Sequence, residues 1–101
     1  MGNILNSCLC KKMSIGYILP SIKILLIEDD LFLTEVLNNH LLQKGICEFQ
    51  SVTNIVDAKL LLPVFEPDIL LLDVNLTDGS GIEFCRFLRQ NGFVKPVIMI
   101  V

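Results

Sequence analysis

The sequence predicts an α/β fold with a parallel sheet, because two apolar runs are too continuous to be half-exposed strands. Residues 22–27 (IKILLI) and 69–72 (ILLL) place aliphatic side chains on successive positions, interrupted only by Lys23. Strands of this kind are buried on both faces, as in parallel sheets. Helical spacing between the runs supplies the crossovers, so the predicted order is β-α-β-α-β-α-β with right-handed connections.

Length and composition limit the possible functions. The chain has 101 residues, enough for one domain at most, with 52% hydrophobic residues and a net charge of −3. Lys11 and Lys12 are adjacent, and no other Lys or Arg cluster occurs. Charge therefore argues against nucleic-acid binding. We predict a disordered leader at residues 1–21 and a folded domain at residues 22–101.

Neither a membrane segment nor a disulfide framework is predicted. No apolar run reaches the roughly 18 residues that a spanning helix needs. The basic residues of the leader follow its apolar part, whereas a signal peptide has them first. The four cysteines lack framework spacing, which favours a reducing compartment and a cytoplasmic protein. His40 is the one histidine and is expected on a helix face, since a zinc site needs further closely paired ligands.

Periodicity and capping residues define the remaining elements of the first half. Apolar residues recur at helical spacing over residues 31–44, and Gly45 follows as a C-terminal stop. Residues 46–52 alternate loosely, which is typical of a half-exposed edge strand. Thr53 or Asn54 is suited to cap the next helix.

Proline and glycine delimit the second half of the chain. Pro63 should end or kink the second helix, because proline lacks the N–H group and clashes with the preceding turn. A third strand is expected at residues 68–73. Ser80 and Glu83 form a possible capping box for a helix that runs to about residue 90, and the fourth strand covers residues 97–101.

Acidic residues follow two of the predicted strands. Asp29 and Asp30 come after the first strand, and Asp73 ends the third. Carboxyl ends of neighbouring parallel strands meet at one rim, where open α/β sheets bind their ligands. Three carboxylates in one cleft favour a hard cation, Mg²⁺ first, and a metal beside a further acid suits phosphoryl transfer. The alternative is that these acids are only caps and turn formers.

Three segments resemble the receiver domain of two-component response regulators. They are IKILLIEDD, PDILLLDVNLTDGSGIEF and KPVIMIV, which occur in the family's order and at its usual separations from about Ile22 to Val101. The resemblance implies a flavodoxin-like doubly wound sheet of strand order 2-1-3-4-5. Here that sheet would be incomplete, without the last strand and the last two helices.

The resemblance also implies a site and a partner. Asp73 would be the aspartate phosphorylated by a histidine kinase or phosphotransfer protein, as one step of a phosphorelay and not as an enzyme. Asp29 and Asp30 would be the Mg²⁺-binding acids beside Asp73, and Asn75 would offer its backbone carbonyl to the same ion.

The chain departs from the family pattern at three points. Thr77 stands where proline is common, and Val101 stands where the family usually has a Ser or Thr that responds to the phosphoryl group. The sequence also stops before the strand that carries a lysine in the family. We therefore expect impaired signalling. Apolar residues of the first and third strands should be partly bare, with the fourth strand an open edge, so that self-association is possible.

Two other functions are compatible with parts of the sequence. The segment Asp73-Val74-Asn75-Leu76-Thr77 resembles the D-x-D-x-T motif of haloacid-dehalogenase-type phosphatases, with Asn75 in place of the general acid. That substitution should cripple turnover. A phosphorylation-independent interaction module is the other alternative. Stoichiometric capture of phosphate would favour the receiver domain, and steady phosphate release would favour the phosphatase. Oligomer size measured with and without Mg²⁺ and a phosphodonor would separate the interaction module from a phosphorylation switch.

Overall fold

The computed structural model describes residues 22–45 and 48–101, and the predicted leader lies outside them. Its elements, in chain order, are β1 (Lys23–Ile27), α1 (Leu31–Gln43), β2 (Glu48–Val52), α2 (Ile55–Phe65), β3 (Ile69–Asp73), β4 (Asn75–Leu76), β5 (Gly79–Ser80), α3 (Gly81–Gln90) and β6 (Val97–Ile100). No helix among these residues is both long enough and apolar enough to cross a bilayer.

Four strands form a parallel sheet in the order β2-β1-β3-β6. Along the chain, β2 is added on one side of β1, and β3 and β6 are then added on the other side. The predicted flavodoxin-like doubly wound topology is therefore confirmed. Helices α1, α2 and α3 provide the crossovers between successive strands. The predicted edge position of the second strand is also correct, since β2 has one strand neighbour among the described residues.

One face of the sheet packs against α2 and α3. Side chains at alternate positions of the two central strands are fully buried on this face: Leu25, Ile27, Leu70 and Leu72. The helices cover them with four further buried residues: Ala58, Phe65, Phe84 and Leu88. Because alternate strand residues point to the same face, the register of β1 against β3 sets this core.

The opposite face is more closed than the sequence analysis predicted. Ile24 and Leu26 of β1 are buried, so the expectation of a partly bare first strand is wrong. The expectation fits β3 better, because Ile69 and Leu71 are only half-buried. Ile98 of β6 is 52% exposed, and within the described residues this strand lies at the sheet edge.

Helix α2 extends two residues beyond Pro63, which was expected to end or kink it. The helix ends three residues after the proline, at its C-cap residue Glu66, which adopts a left-handed conformation at φ 52° and donates its N–H to Leu62 O. At the other end, Asn54 and not Thr53 is the N-cap residue.

A short hairpin between β3 and α3 was not predicted from the sequence. Strands β4 and β5 pair antiparallel, with Asn75 opposite Ser80 and Leu76 opposite Gly79. The turn-forming sequence DGSG hid this pairing, because glycine and aspartate are depleted in strands. The hairpin connects the last residue of β3 to the first residue of α3.

Candidate metal and phosphoacceptor site

The site lies where β1 and β3 end side by side. Ile27 is in register with Leu72, so the next residues along each strand, Glu28 and Asp73, reach the same rim of the sheet. The backbone N–H of Glu28 donates to Val52 O at 3.0 Å, which continues the sheet one residue beyond β1. Two carboxylates are thus fixed by strand geometry and not by loop conformation.

Three carboxylates converge at this rim. Ligand oxygens of Glu28, Asp29 and Asp73 all lie within 4.8 Å of one another. The structure therefore brings together Asp29 and Asp73, as the sequence analysis predicted. It adds Glu28, which the sequence analysis missed. Sequence patterns could not have identified Glu28, because the register that sets Ile27 beside Leu72, and so Glu28 beside Asp73, is fixed only in the tertiary structure.

Asp30 has a different place from the one predicted for it. Its Oδ1 accepts hydrogen bonds from Phe32 N at 3.0 Å and Leu33 N at 3.2 Å, so it is the N-cap of α1. An Asp at this position satisfies N–H groups that have no partner within the helix. The structure thus places Asp30 at the helix cap and outside the group of Glu28, Asp29 and Asp73, and it gives the predicted role of Asp30 as a magnesium ligand no support.

Glu28 is the buried member of the group, with 4% of its surface exposed. Its Oε2 accepts the backbone N–H of Asp30 at 3.1 Å. Burial raises the pKa of Glu28, and the nearby carboxylates of Asp73 and Asp29 raise it further, against a lowering by the Asp30 N–H. Like charges at close range disfavour ionisation. The convergence of the three carboxylates is therefore the feature that a bound cation would stabilise.

Asp73 is oriented by the residue that begins β4. The backbone N–H of Asn75 donates to Asp73 Oδ1 at 3.2 Å. This contact places Asn75 beside the carboxylate group, while the role of its carbonyl as a metal ligand stays a prediction. Asp73 itself is half-buried, and Asp29 is exposed. The rim is accordingly open to a ligand from solvent.

The donor set fits a magnesium ion. Mg²⁺ prefers oxygen ligands at about 2.0–2.1 Å, so oxygens on one ion lie roughly 3–4 Å apart. The convergence of the three carboxylates within 4.8 Å is on this scale. Three acids also provide the negative charge that would offset the cost of dehydrating the ion. Glu28, Asp29 and Asp73 are therefore the residues that would hold it.

Comparison with known proteins decides the family. A family model described as "Response regulator receiver domain" matches residues 24–101. The chain belongs to this family. The matched region contains the whole described sheet except Lys23, the first residue of β1, and it contains the three described helices. The resemblance identified in the sequence is thereby confirmed.

Curated relatives include full-length regulators. The response regulator protein PmrA of Pseudomonas aeruginosa is 37% identical over 78 residues, which cover 77% of this chain and 35% of that protein. The transcriptional regulatory protein YvcP of Bacillus subtilis is also 37% identical over 78 residues, covering 77% of this chain and 32% of that protein. The chain thus spans about a third of the length of these relatives.

Solved structures agree with the fold. The MaeR response regulator bound to beryllium trifluoride is 36% identical, with a TM-score of 0.73, and the match covers 78% of this chain and 66% of that one. The receiver domain of a DNA-binding response regulator from Colwellia psychrerythraea is 26% identical with a TM-score of 0.72, covering 78% and 67% of the two chains. The receiver fold is therefore shared across the matched segment.

Proposed function

We propose that this receiver domain accepts a phosphoryl group on Asp73 from a histidine kinase or phosphotransfer protein. The observation that carries the proposal is the convergence of Asp73 with Glu28 and Asp29 at the tips of β1 and β3. A carboxylate next to two further acids is a poor nucleophile for an anionic phosphoryl group unless the negative charge is neutralised. The same two acids could hold the cation that neutralises it.

The proposed reaction exchanges one phosphorus bond for another. A carboxylate oxygen of Asp73 forms a bond to phosphorus while the P–N bond to the donor's imidazole breaks, and the electron pair of that bond stays on the imidazole nitrogen. The product is an acyl phosphate on Asp73. When bound, Mg²⁺ supplies positive charge that offsets the charge on the phosphoryl oxygens. The Asn75 N–H holds the carboxylate in one orientation through Asp73 Oδ1.

The proposed ligand set for magnesium is Glu28, Asp29 and Asp73, with the backbone carbonyl of Asn75 as a fourth ligand. The three carboxylates are supported by their mutual spacing. The carbonyl is supported by the position of Asn75 next to Asp73. In this proposal Asp30 contributes stability to α1 and does not bind the metal.

We further propose a cytoplasmic phosphoprotein that captures one phosphoryl group per chain and does not turn over a substrate. A histidine kinase as donor and the spacing of the cysteines support this location. Val101 stands where the family usually has a Ser or Thr that responds to the phosphoryl group, and it has no hydroxyl group, so we propose that the response to phosphorylation is weakened. Replacing Val101 by Thr is expected to strengthen beryllofluoride binding, since a hydroxyl group can donate to an anionic acceptor.

The test uses the whole chain with Mg²⁺ and a small phosphodonor such as acetyl phosphate. Intact-protein mass spectrometry should detect one added phosphoryl group in the native chain and none in Asp73→Asn. Asp57→Asn is the matched control, because Asp57 is an exposed acid that lies outside the group of converging carboxylates. Equal labelling of the native chain and Asp73→Asn would refute the assignment. Steady phosphate release from a small phosphoester would instead favour the phosphatase alternative.

A further inference from the structure

The first turn of α2 is capped by Asp78, which lies between β4 and β5 at the tip of the hairpin. Asp78 Oδ1 accepts the N–H of Ile55 at 2.9 Å, and Asp78 Oδ2 accepts the N–H of Val56 at 3.1 Å. The two hydrogen bonds use both oxygens of one carboxylate. They join residues that are 22 and 23 positions apart in sequence. This cap is therefore a tertiary contact and not a local turn.

Asp78 completes the hydrogen bonding at this helix end. The first N–H groups of a helix have no partner within the helix. Here the Asp57 N–H donates to Asn54 Oδ1 at 2.8 Å, and the Ala58 N–H donates to Asn54 O at 3.2 Å. Asn54 thus accepts hydrogen bonds from the N–H groups of Asp57 and Ala58, while Asp78 accepts those from Ile55 and Val56. The two caps have separate tasks, so Asn54 does not replace Asp78.

The hairpin also touches α2 through Gly79. A Cβ atom on Gly79 would lie 2.9 Å from Ile55 Cδ1, so the hairpin backbone packs directly against that side chain. Gly79 has φ +155°, which other residues rarely adopt. The tip of the hairpin is therefore fixed to α2 at two adjacent residues, by polar contacts from Asp78 and by close packing at Gly79.

The base of the same hairpin is fixed to the phosphoacceptor. Asn75 at the start of β4 donates its N–H to Asp73 Oδ1, and Asn75 pairs with Ser80 across the hairpin. The N–H of Gly81 donates to Val74 O at 2.7 Å, directly behind that pair. With only two residues in each strand, the hairpin has little pairing of its own to hold its shape.

We infer that Asp78 is a positioning residue, which orients the Asp73 carboxylate by fastening the tip of the β4–β5 hairpin to α2. Loss of that contact frees the tip, and a two-residue ladder transmits the freedom to Asn75 and its hydrogen bond to Asp73. The N–H groups of Ile55 and Val56 lower the pKa of Asp78, which is consistent with a carboxylate held as an anion by this helix end. Only the ligand-binding part of the test below rests on the proposed function.

The first measurement needs no ligand. We would compare the amide exchange rate of Asn75 by NMR in the native chain, Asp78→Ala, Asp78→Asn and the control Asp57→Ala. The control removes an equal charge from the first turn of α2 together with a hydrogen bond from Asn54 Nδ2, whereas the hydrogen bonds between α2 and the hairpin belong to Asp78. Asp78→Ala should speed exchange at Asn75 at least about fivefold relative to the control, the low end of typical coupling between linked positions. Asp78→Asn keeps one acceptor oxygen and should lie between them.

The second measurement is the affinity for beryllofluoride with Mg²⁺, which should fall in Asp78→Ala and recover partly in Asp78→Asn. Unchanged Asn75 exchange in both Asp78 variants would overturn the inference, as would equal effects of Asp57→Ala and Asp78→Ala. Should Asp78→Ala fail to fold, Asp78→Asn decides by the same criterion. If the native chain binds no beryllofluoride while Asn75 exchange still responds to Asp78, the proposed function fails and the positioning role stands.

Discussion

Glu28 and Asp73 are neighbours across the tips of two parallel strands, with carboxylate oxygens within 4.8 Å of each other. The pairing of Ile27 with Leu72 places them there. Glu28 is almost fully buried, whereas Asp73 is half-buried. Two acids held this close repel each other without a cation, so the site stores an unfavourable interaction that a bound metal would relieve.

Replacing Glu28 by Gln tests whether Glu28 is a metal ligand, in contrast to Asp30, which caps a helix. We expect Glu28→Gln to weaken Mg²⁺ binding by at least about tenfold, the lower bound typical for loss of a contact in a metal site. Without Mg²⁺ the same variant should be at least as stable as the native chain, because one of the mutually repelling charges is gone. Mg²⁺ titration followed by NMR and urea denaturation measure the two quantities.

Replacing Asp30 by Ala is the counterpart of that experiment. Because Asp30 caps α1 through the N–H groups of Phe32 and Leu33, its loss should lower the free energy of unfolding by about 1 kcal/mol. Mg²⁺ affinity should stay unchanged when measured well below the denaturation midpoint. A large loss of Mg²⁺ affinity would return Asp30 to the ligand set.

The pH dependence of stability should reveal the Asp78 cap. Hydrogen bonds from Ile55 and Val56, with Lys59 nearby, hold the pKa of Asp78 below its ordinary value of 3.8. The unfolded state then binds the proton more readily, so the stabilisation is complete above the unfolded pKa and is lost as pH falls through the folded pKa. The stability difference between the native chain and Asp78→Asn should be present at pH 7 and shrink on acidification below pH 3.8. A difference that stays constant with pH would contradict this.

Gly81→Ala should disrupt the junction of the hairpin with α3. A Cβ atom at Gly81 would lie 2.0 Å from the carbonyl oxygen of Asp73, so the backbone must shift. We expect a loss of about 2–3 kcal/mol or more in the free energy of unfolding, together with weaker Mg²⁺ binding. Gly45→Ala is the control: it has open space around it but a φ of +83°, so conformational strain alone should cost about 1 kcal/mol.

Two leucines should differ sharply in their contribution to stability. Leu72 on β3 is fully buried in the core that the strands form with α2 and α3, whereas Leu60 on α2 is 70% exposed. Leu72→Ala is expected to lower the free energy of unfolding by about 2–5 kcal/mol. Leu60→Ala should change it by roughly 0.5 kcal/mol or less, as surface substitutions usually do. Equal losses in urea denaturation would show that the outer face of α2 is covered in solution.

Much of the fold could be predicted because its signals are local. The continuous apolar runs gave β1 and β3, and helical spacing with Gly45 gave α1. The hairpin β4–β5 could not be predicted, since two-residue strands carry no periodicity and their residues favour turns. The end of α2 was misplaced because Pro63 removes only its own N–H from the helix, and the left-handed conformation of Glu66 ends the helix three residues later.

The sequence by itself determined which strands are buried and which rim carries the acids, because apolar patterning and strand order fix both. Only the tertiary structure decided which acids face one another. In the run Glu28-Asp29-Asp30, the register of β1 against β3 places Glu28 beside Asp73, and the bend that follows β1 brings Asp29 to the same group. Asp30 falls one residue later, where the start of α1 offers it free N–H groups instead of a neighbouring strand.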